Sequence, residues 1–371
     1  MDKEPDAKRK KYDIMHFEAL GPEAQHLERE TAQSVKAGAL PKNHKYLITH
    51  LSLNEYINVN PGAELPGIIS IKTHSKIPGG FIWAGKQKPG SLKRKSIITR
   101  SAGYDHVEHL AGVANVASLR DYCAEAVAQT AMKFIYACAG RLNHYAANTQ
   151  NFDRMGSDAF MELGPGRVVT VFGVGNIGRR ICGIARANGL EVQGVDLRQG
   201  EIAKELVGQV KFVSKEEAVR SSDIIVNAMN LTRDKSSRFY NAGYFSEELL
   251  SQAKDGLIFI NVTRGEIAPE SALLGLYRSG KIGGLGLDVF SNEEEFSRAM
   301  RGGAFSPDKD VIAARELVEM SLARTGNIYV QPHQGFNSDI AARAKAREAI
   351  RHAEAHFRNK GKRFDEQLPY Y

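Results

Sequence analysis

Residues 166–178 read GRVVTVFGVGNIG, and this stretch decides the fold of the chain. Residues 167–172 form a β-branched, apolar run, which is typical of a strand buried on both faces of a parallel sheet. Residues 176–188 then place apolar side chains at helical spacing and end at Gly189, a suitable helix C-cap. The stretch therefore predicts a strand, a glycine-rich turn and a helix.

The same alternation of strand-like and helical segments continues on both sides of this stretch. Strand-like runs follow at residues 190–195, 212–213, 224–228, 258–262, 284–289 and 328–330, with helical segments between them. Repeated units of this kind predict an α/β fold with a doubly wound parallel sheet. Upstream of this stretch, short apolar runs at 46–49 and 68–71 alternate with loops, and residues 121–139 are predicted to be a helix. A further helix is predicted near the C-terminus, at residues 339–359.

The glycine-rich turn carries the spacing GxGxxG between a predicted strand and a predicted helix. In this context the spacing indicates a dinucleotide site: Gly173 permits the tight turn, Gly175 lets backbone approach a pyrophosphate, and Gly178 permits close helix–strand packing. Asp196 ends the next strand, where a carboxylate can accept hydrogen bonds from ribose hydroxyls and repel a 2′-phosphate. We therefore expect NAD, although Arg198 leaves room for NADP.

Three further segments place polar side chains directly after predicted strands, where α/β proteins position their chemistry. These side chains are Arg264, Glu293 and His333. Taken singly, each has an ordinary alternative: a surface ion pair for Arg264, an acidic loop for Glu293, and a hydrogen-bonded loop histidine for His333. Behind a dinucleotide motif, the set predicts an anion clamp, an orienting carboxylate and a proton carrier.

These motifs, in this order and spacing, closely resemble those of the D-isomer-specific 2-hydroxyacid dehydrogenases, nearest the D-lactate dehydrogenase-like branch. The resemblance begins at about residue 66. It rests on Thr99-Arg-Ser-Ala-Gly-Tyr-Asp-His-Val107, Ala126-Val-Ala-Gln129, Gly173-Val-Gly-Asn-Ile-Gly178, Asn261-Val-Thr-Arg-Gly-Glu266, Leu287-Asp-Val-Phe290 with Glu293, and Pro332-His333-Gln-Gly-Phe336.

The resemblance implies a hydride transfer between a nicotinamide and C2 of a 2-oxo or D-2-hydroxy acid. His333 is then the acid/base, Glu293 orients it, and Arg264 clamps the carboxylate and the carbonyl of the substrate. The implied cofactor-binding residues are Gly173, Gly175, Asn176, Ile177, Gly178, Asp196, Asn227, Thr263 and Asp288. The implied substrate-binding residues are Lys72, His74, Ala102, Gly103, Tyr122 and Phe336.

We expect two Rossmann/flavodoxin-like, doubly wound parallel-sheet domains with the active site in the cleft between them. Residues 12–138 plus 336–371 are assigned to the substrate (catalytic) domain, and residues 139–335 to the NAD-binding domain. Residues 301–310 read as a loop insertion. The family resemblance further implies a homodimer, and the lack of a signal-like segment or a long apolar run in the sequence predicts a cytoplasmic protein without a membrane partner.

The net charge of +7 is unevenly distributed. Residues 65–104 contain no acidic residue and eight cations: Lys72, Lys76, Lys86, Lys88, Lys93, Arg94, Lys95 and Arg100. Interleaved aromatic side chains and a helix-turn-helix signature are missing from the sequence, which argues against nucleic-acid binding. We expect instead a substrate with an additional anionic group. Three cysteines without paired or metal-ligand spacing predict reduced thiols and no metal site.

Two alternatives to this function stay open. A phosphoglycerate- or phosphite-type dehydrogenase keeps the arginine, glutamate and histidine, so the triad does not exclude it. A non-enzymatic NAD-sensing scaffold of the same fold can retain the whole triad as well. Formate dehydrogenases of this fold lack the glutamate partner of the histidine, and Glu293 therefore argues against that activity.

Overall fold

The structure is a computed structural model that describes residues 11–83, 94–152, 154–155, 159–304 and 306–370. Its contacts divide the chain into two compact units. Unit 1 contains the described residues of Met1–Cys123 and Asn337–Tyr371, and unit 2 contains those of Ala124–Phe336. The predicted basic side chains Lys86, Lys88 and Lys93 lie outside the described residues.

The described part of unit 1 contains a five-stranded, all-parallel sheet with the order β2-β1-β3-β4-β5. Its strands are β1 (Ile14–His16), β2 (Tyr46–Ile48), β3 (Ile68–Ile71), β4 (Ser96–Thr99) and β5 (Asn115–Ser118). Apolar side chains fill both faces, as a sheet covered on both sides requires. The first 65 residues, for which the sequence motifs offered no family resemblance, thus supply two of the paired strands.

Helices cover the two faces of this sheet. Their bounds are α1 (Pro22–Lys36), α2 (Leu53–Val59), α3 (Gly79–Trp83) and α13 (Asp339–Arg358). Helices α1 and α13 pack against each other, and Leu27 and Ile350 join Ile14 and Ile98 in the buried cluster on that face. The C-terminal helix predicted at residues 339–359 is confirmed, and it packs on the sheet of unit 1.

The described part of unit 2 contains a seven-stranded parallel sheet with the order β12-β11-β10-β9-β6-β7-β8. Its strands are β6 (Val168–Phe172), β7 (Glu191–Val195), β8 (Lys211–Phe212), β9 (Ile224–Asn227), β10 (Leu257–Asn261), β11 (Ile282–Leu287) and β12 (Ile328–Val330). The chain reverses its strand order beside β6, which places the carboxyl end of β6 at the topological switch point. The doubly wound sheet predicted around residues 166–178 is confirmed.

The helices of unit 2 connect these strands. Their bounds are α4 (Ala124–Ala139), α5 (Leu142–Asn148), α6 (Asn176–Ala187), α7 (Gln199–Glu205), α8 (Lys215–Ser221), α9 (Glu247–Leu250), α10 (Glu270–Arg278), α11 (Glu293–Met300) and α12 (Lys309–Ala323). Residues 301–310, read as a loop insertion, connect α11 to α12 and include the first turn of α12. The alternative that placed Glu293 in an acidic loop is wrong, since Glu293 is the first residue of α11.

Helix α4 belongs to unit 2, whereas the sequence assigned residues 124–138 to the substrate domain. The reason is packing: α4 lies against β10, β11 and α6, and Phe134 sits directly over Gly286, where a Cβ would approach its side chain to 2.5 Å. The contact boundary therefore falls between residues 123 and 124 instead of 138 and 139. The sequence pattern located the helix but could not show which sheet it covers.

The three cysteines are unpaired and buried, and burial raises the pKa of each thiol. No helix in the described ranges is both long and apolar enough to cross a membrane. The same part of the chain holds no group of three or more histidine, cysteine, aspartate or glutamate side chains arranged to bind a metal ion.

Candidate active site

The glycine-rich turn has the geometry that a dinucleotide requires. Gly173 has a φ of +88°, and a Cβ there would lie 2.8 Å from the carbonyl oxygen of Ala228. A Cβ on Gly178 would lie 2.0 Å from the carbonyl oxygen of Gly173, so helix α6 packs directly on the turn. A Cβ on Gly175 would meet no atom of the described residues within 4 Å. The first and third glycines thus serve the fold, and the second keeps space open at the start of α6.

Asp196 follows β7 beside this turn and is hydrogen-bonded to it. One carboxylate oxygen accepts the backbone N–H of Val174 (2.9 Å), and the other accepts the N–H of Arg198 (2.8 Å). The guanidinium of Arg198 also lies 3.7 Å from the carboxylate. Asp196 therefore ties the turn to β7 and presents negative charge there, partly offset by Arg198.

Arg264 follows β10 and is positioned by a network of buried amides. The side chain of Asn261 donates to the carbonyl of Arg264 (2.9 Å), and Arg264 itself donates to the carbonyl of Thr263 (2.8 Å). Asn227, at the end of neighbouring β9, donates to Asn261 and to Thr263, both at 3.0 Å. The backbone of Arg264 is therefore fixed by two adjacent strand ends, while its side chain stays half-buried.

Glu293 and His333 form a hydrogen-bonded pair. The Nδ1 of His333 lies 2.7 Å from Oε2 of Glu293, and the other carboxylate oxygen accepts the backbone N–H of Phe290 (3.2 Å). Both side chains are a little more than one third exposed. A carboxylate at Nδ1 fixes the ring orientation and the tautomer, which directs Nε2 away from Glu293. The pairing predicted from the sequence is present.

The backbone at this pair adopts an unusual conformation. His333 has a φ of +50°, and Asn292, directly before Glu293, also has a φ of +50°. Left-handed conformations in residues other than glycine are uncommon and persist where the surroundings determine them. At His333 the surroundings are backbone contacts, because its N–H donates to the carbonyl of Asp288 (2.7 Å).

Asp288 follows β11 and anchors the loop that carries His333. Its carboxylate accepts the backbone N–H groups of Gln334 (2.8 Å) and Gly335 (3.0 Å) and the side-chain amide of Gln331 (2.7 Å). Burial raises the pKa of this carboxyl, while these hydrogen bonds act in the opposite direction. The structure thus shows Asp288 supporting the histidine loop, whereas its predicted contact with the nicotinamide stays a prediction.

The remaining predicted residues of unit 2 take different positions. Asn227 and Thr263, predicted to line the cofactor site, are buried in the amide network below Arg264. Asn176 and Ile177 form the first turn of α6, beside Gly175. The ring of Phe336 lies edge-on to that of His333, with 6.3 Å between their centroids.

The predicted substrate residues of unit 1 lie at the carboxyl ends of β3, β4 and β5. Lys72 follows β3 and forms an ion pair with Glu23 (2.6 Å), and His74 is exposed. Ala102 and Gly103 form the turn after β4, closed by a hydrogen bond from Ser101 to the carbonyl of Gly103 (2.7 Å). Burial raises the pKa of Tyr122 well above its ordinary value, so its hydroxyl stays protonated.

Three residues that organise the site of unit 2 were missing from the sequence prediction as functional positions. Asn261 holds the backbone of Arg264. Gly265 allows close contact between two loops, because a Cβ there would lie 2.0 Å from the backbone carbon of Phe290. Glu270 is buried and accepts the N–H of Ser291 (2.6 Å), and burial raises its pKa to about 7. The glycine directly after Arg264 was a usable signal; the roles of the other two depend on tertiary contacts.

Comparison with known proteins gives a consistent result. Residues 132–335 match the family model described as "D-isomer specific 2-hydroxyacid dehydrogenase, NAD binding domain". A D-lactate dehydrogenase of Treponema pallidum is 29% identical over 264 residues, which cover 68% of this chain and 72% of that protein. A 4-methyl-2-oxopentanoate reductase A of Aspergillus oryzae is 34% identical over 128 residues, and the match spans only 36% of that protein and 34% of this chain.

Solved structures show the same fold. A D-lactate dehydrogenase from Aquifex aeolicus, complexed with NAD and lactic acid, aligns with a TM-score of 0.73 and 22% identity over 96% of this chain and 99% of that one. A D-2-hydroxyisocaproate dehydrogenase aligns with a TM-score of 0.72 and 20% identity over 94% of this chain and 97% of that one. The family resemblance and the two α/β units expected from the sequence are confirmed.

Proposed function

Because this chain belongs to the D-isomer-specific 2-hydroxyacid dehydrogenase family and carries its NAD-binding domain, we propose that it reduces a 2-oxo acid to the D-2-hydroxy acid. The observation that supports this most strongly is the His333–Glu293 pair at 2.7 Å, on strand ends of the sheet that holds the glycine-rich turn. The bound cofactor supplies the hydride. The remaining chemistry, a proton for the alkoxide oxygen and positive charge for the carboxylate, falls to side chains.

His333 is the proposed acid/base. Glu293 holds Nδ1, so Nε2 is the atom that gives its proton to the carbonyl oxygen during reduction and takes one back during oxidation. The carboxylate also stabilises the imidazolium form, as a carboxylate does for histidine in other acid/base pairs. The fixed loop from Asp288 to Gly335 keeps the ring in this position.

Arg264 is the proposed substrate clamp. A guanidinium offers two parallel N–H groups that match a carboxylate, and it polarises a carbonyl in the same plane. Its backbone is fixed by Asn261 and its neighbour Gly265 packs on the loop leading to Glu293. The clamp and the acid/base pair are therefore held by the carboxyl ends of adjacent strands β10, β11 and β12.

The residues at the glycine-rich turn fit NAD. The space in front of Gly175 and the start of α6 suit a pyrophosphate, since backbone N–H groups and the helix dipole favour negative charge there. The carboxylate of Asp196 lies beside the turn, where it would repel a 2′-phosphate. Direct nicotinamide contacts of Asp288, Thr263 and Asn227, and substrate contacts of Ala102, Gly103 and Phe336, remain part of the proposal.

The test is NADH consumption by the purified protein with a panel of 2-oxo acids that includes monocarboxylic, dicarboxylic and phosphorylated members. We expect oxidation of NADH with at least one member and a loss of at least about a hundredfold in kcat/KM for Arg264→Gln, since the variant lacks the bidentate charge. NADH binding without consumption would favour the NAD-sensing scaffold. Preference for a phosphorylated acid would favour the phosphoglycerate type.

The homodimer expected from the sequence also stays a proposal. Unit 2 exposes large apolar side chains close together in sequence, with Phe152 81%, Met155 92% and Phe160 55% exposed. A contiguous apolar patch formed by such side chains would mark a protein interface. Light scattering on the purified chain would show twice the monomer mass. The cytoplasmic location stays a prediction.

A further inference from the structure

Unit 1 contains a cluster of cations around Glu23 that the proposed acid/base chemistry does not use. Lys72 contacts one carboxylate oxygen of Glu23 (2.6 Å), and Arg100 (2.9 Å) and Lys345 (3.4 Å) contact the other. We call Glu23, Lys72, Arg100 and Lys345 the Glu23 cluster. It joins the start of α1, the ends of β3 and β4, and the middle of α13. The sequence reasoning identified Lys72 and overlooked Glu23 and Lys345.

The cluster carries excess positive charge in a largely buried place. The side chain of Arg100 is fully buried, that of Lys345 is 8% exposed, and that of Lys72 is 25% exposed. Three cations thus share the carboxylate of Glu23, and the surrounding charge holds its pKa down at about 2. Burial of ammonium groups is unfavourable unless carboxylates compensate them, and Glu23 is the carboxylate that all three cations contact directly. The cluster therefore brings two lysine ammonium groups together at one place in unit 1.

The members of the cluster have different roles. Arg100 stabilises the fold, because its guanidinium donates hydrogen bonds to Glu23, to the hydroxyl of Ser70 (2.8 Å) and to the carbonyl of Phe17. An ammonium group has three donors, so Lys72 and Lys345 can each contact a ligand anion while keeping the ion pair with Glu23. These two lysines are the groups that an anion can contact.

The loop that carries Lys72 is preorganised. The buried carboxylate of Glu18 accepts the backbone N–H groups of Lys72 (2.8 Å), His74 (3.0 Å) and Ser75 (3.2 Å). Glu18 has a φ of +56°, an uncommon conformation that aims its carboxylate at this loop. Lys72 is thus held on a fixed turn, which is typical of a binding position.

The cluster also lies beside the turn predicted to hold the substrate carboxylate. Strands β3 and β4 are neighbours, and the N–H of Arg100 donates to the carbonyl of Ile71 (2.7 Å), so Lys72 and Arg100 leave adjacent strand ends. Ala102 is two residues beyond Arg100, a separation of at most about 7 Å along the chain. Ligands of parallel α/β sheets bind at this edge. A short acid can therefore reach both positions.

We propose that Lys72 and Lys345 bind a second anionic group at the far end of the 2-oxo acid, so that the substrate class is the 2-oxo dicarboxylates. This rests on the proposed function for the reaction itself. Tyr122 borders the subsite: the centroid of its ring lies 5.6 Å from Nζ of Lys345, and its protonated hydroxyl is hydrogen-bonded to Cys123.

Binding of an anion at this subsite is coupled to protonation of Lys345. Burial and the charges of Lys72 and Arg100 lower the pKa of Lys345 to about 7, against the opposite effect of Glu23. Tyr122, Cys123 and Glu348 are the other titratable groups close to this ammonium; Cys123 and Tyr122 stay protonated, because burial raises both pKa values. An incoming carboxylate favours the charged lysine. Above pH 7, binding therefore takes up a proton, and affinity falls as the pH rises.

Calorimetric titration of the full chain with NAD⁺ present tests this, because the oxidised cofactor cannot reduce an oxo acid and binding is measured without turnover. The probes are 2-oxoglutarate and 2-oxopentanoate, which share a five-carbon chain and differ in the terminal carboxylate. We expect 2-oxoglutarate to bind about 10- to 100-fold more tightly, the range for hydrogen bonds to charged groups. A C5 2-oxo acid ending in a phosphonate separates the two anion chemistries: tighter binding than 2-oxoglutarate contradicts the dicarboxylate assignment.

Variants show whether the lysines cause the preference. Lys345→Met and Lys72→Met should each reduce the ratio of the two affinities to about threefold or less, and the exposed Lys36→Met, with the same loss of charge, should leave it unchanged. Lys345→Arg should keep the ratio but abolish proton uptake at pH 8, measured from heats in buffers of different ionisation enthalpy. If the cluster has only a structural role, these substitutions change neither the ratio of the two affinities nor the proton uptake on binding.

Equal affinity of the wild-type chain for the two acids overturns the subsite, as does a preference that survives in both lysine-to-methionine variants. Either result leaves the proposed reduction intact if NADH is consumed with 2-oxopentanoate. Conversely, a chain that prefers 2-oxoglutarate in calorimetry but consumes no NADH with any acid keeps the subsite and contradicts the proposed function.

Discussion

Unit 2 holds its candidate acid/base histidine on a half-exposed loop, whereas unit 1 buries three of its histidines. His333 pairs with Glu293 and is 37% exposed. His16, His352 and His356 of unit 1 are buried, and burial lowers the pKa of His16 to about 3 and those of His352 and His356 to about 4. The same side chain is thus accessible at His333 of unit 2 and kept neutral by burial at these three positions of unit 1.

The cationic side chains of the two units differ in the opposite way: unit 1 gathers them in a cluster, and the candidate clamp of unit 2 is a single arginine. Arg264 of unit 2 is half-buried at the end of a strand, and its guanidinium donates to the carbonyl of Thr263. Unit 1 gathers Lys72, Arg100 and Lys345 around one buried carboxylate. In the proposed function, unit 2 supplies the groups that act on the reacting carbonyl, and in the proposed subsite unit 1 supplies the charge that selects the rest of the substrate.

Replacing His333 should have the largest effect. His333→Asn removes the proton carrier but can still hydrogen-bond Glu293, so we expect kcat to fall by about 10²- to 10⁴-fold. NADH affinity, measured by fluorescence titration, should be retained, because the glycine-rich turn is untouched. Glu293→Gln leaves the imidazole ring of His333 in place, so kcat should fall less, by about 10- to 100-fold. This is the range for partners that orient a functional histidine.

If His333→Asn retained wild-type kcat, His333 would be a structural residue, like the buried His16, His352 and His356 of unit 1. Unchanged melting temperatures for both variants serve as the control that the loop after β12 stays folded.

Acidification should unfold unit 1 before unit 2. A buried neutral histidine takes up its proton only on unfolding, so its contribution to stability is complete above pH 6.5 and is lost as the pH falls toward the folded pKa. For His16, with a folded pKa of about 3, the loss between pH 6.5 and pH 4 is about 3 kcal/mol. Hydrogen exchange should show β1–β5 losing protection at a higher pH than β6, β9 and β10.

His16→Leu supplies the matched variant for this prediction. Neither ring nitrogen of His16 has a hydrogen-bond partner among the described residues, so an apolar side chain of similar size is tolerated. The variant should shift acid unfolding of unit 1 to lower pH, and the exposed His109→Leu should not. Simultaneous loss of protection in both units would contradict the difference in histidine burial.

Substitutions at two glycines of the glycine-rich turn should have different effects, one on the stability of unit 2 and the other on cofactor binding. Gly178→Ala places a Cβ 2.0 Å from the Gly173 carbonyl oxygen, so we expect destabilisation by about 1–3 kcal/mol in chemical denaturation. The Cβ of Gly175→Ala meets no atom within 4 Å in the described part of the chain. This variant should leave the stability of unit 2 unchanged while weakening NADH binding about tenfold or more. Normal NADH affinity of Gly175→Ala would place the pyrophosphate elsewhere.

Much of unit 2 could be predicted from the sequence, because its signals are local. The strand–turn–helix pattern at residues 166–178 predicted the parallel sheet. The position of polar residues directly after strands singled out Arg264, Glu293 and His333 as candidate site residues. The tertiary roles of Asp288 and Asn261 were not accessible in this way. Asp288 supports the histidine loop through groups more than forty positions away, and no local pattern reports such a contact.

Unit 1 was harder to predict for the same physical reason. The Glu23 cluster joins residues from α1, β3, β4 and α13, which are separated by up to 322 positions in the chain. The run of cations at residues 65–104 suggested an anionic substrate group, but it could not show that Lys72 pairs with Glu23 or that Lys345 completes the cluster. Helix α4 illustrates the limit as well, since its apolar face fits either sheet.

The most direct test of the central claim is the fate of the hydride. The full chain is incubated with NADH deuterated at nicotinamide C4 on the transferred face and with a 2-oxo acid that it consumes, and the product is examined by mass spectrometry and chiral chromatography. The account predicts a D-2-hydroxy acid with one deuterium at C2, and loss of this product in His333→Asn. A product without deuterium, or of the L configuration, would contradict it.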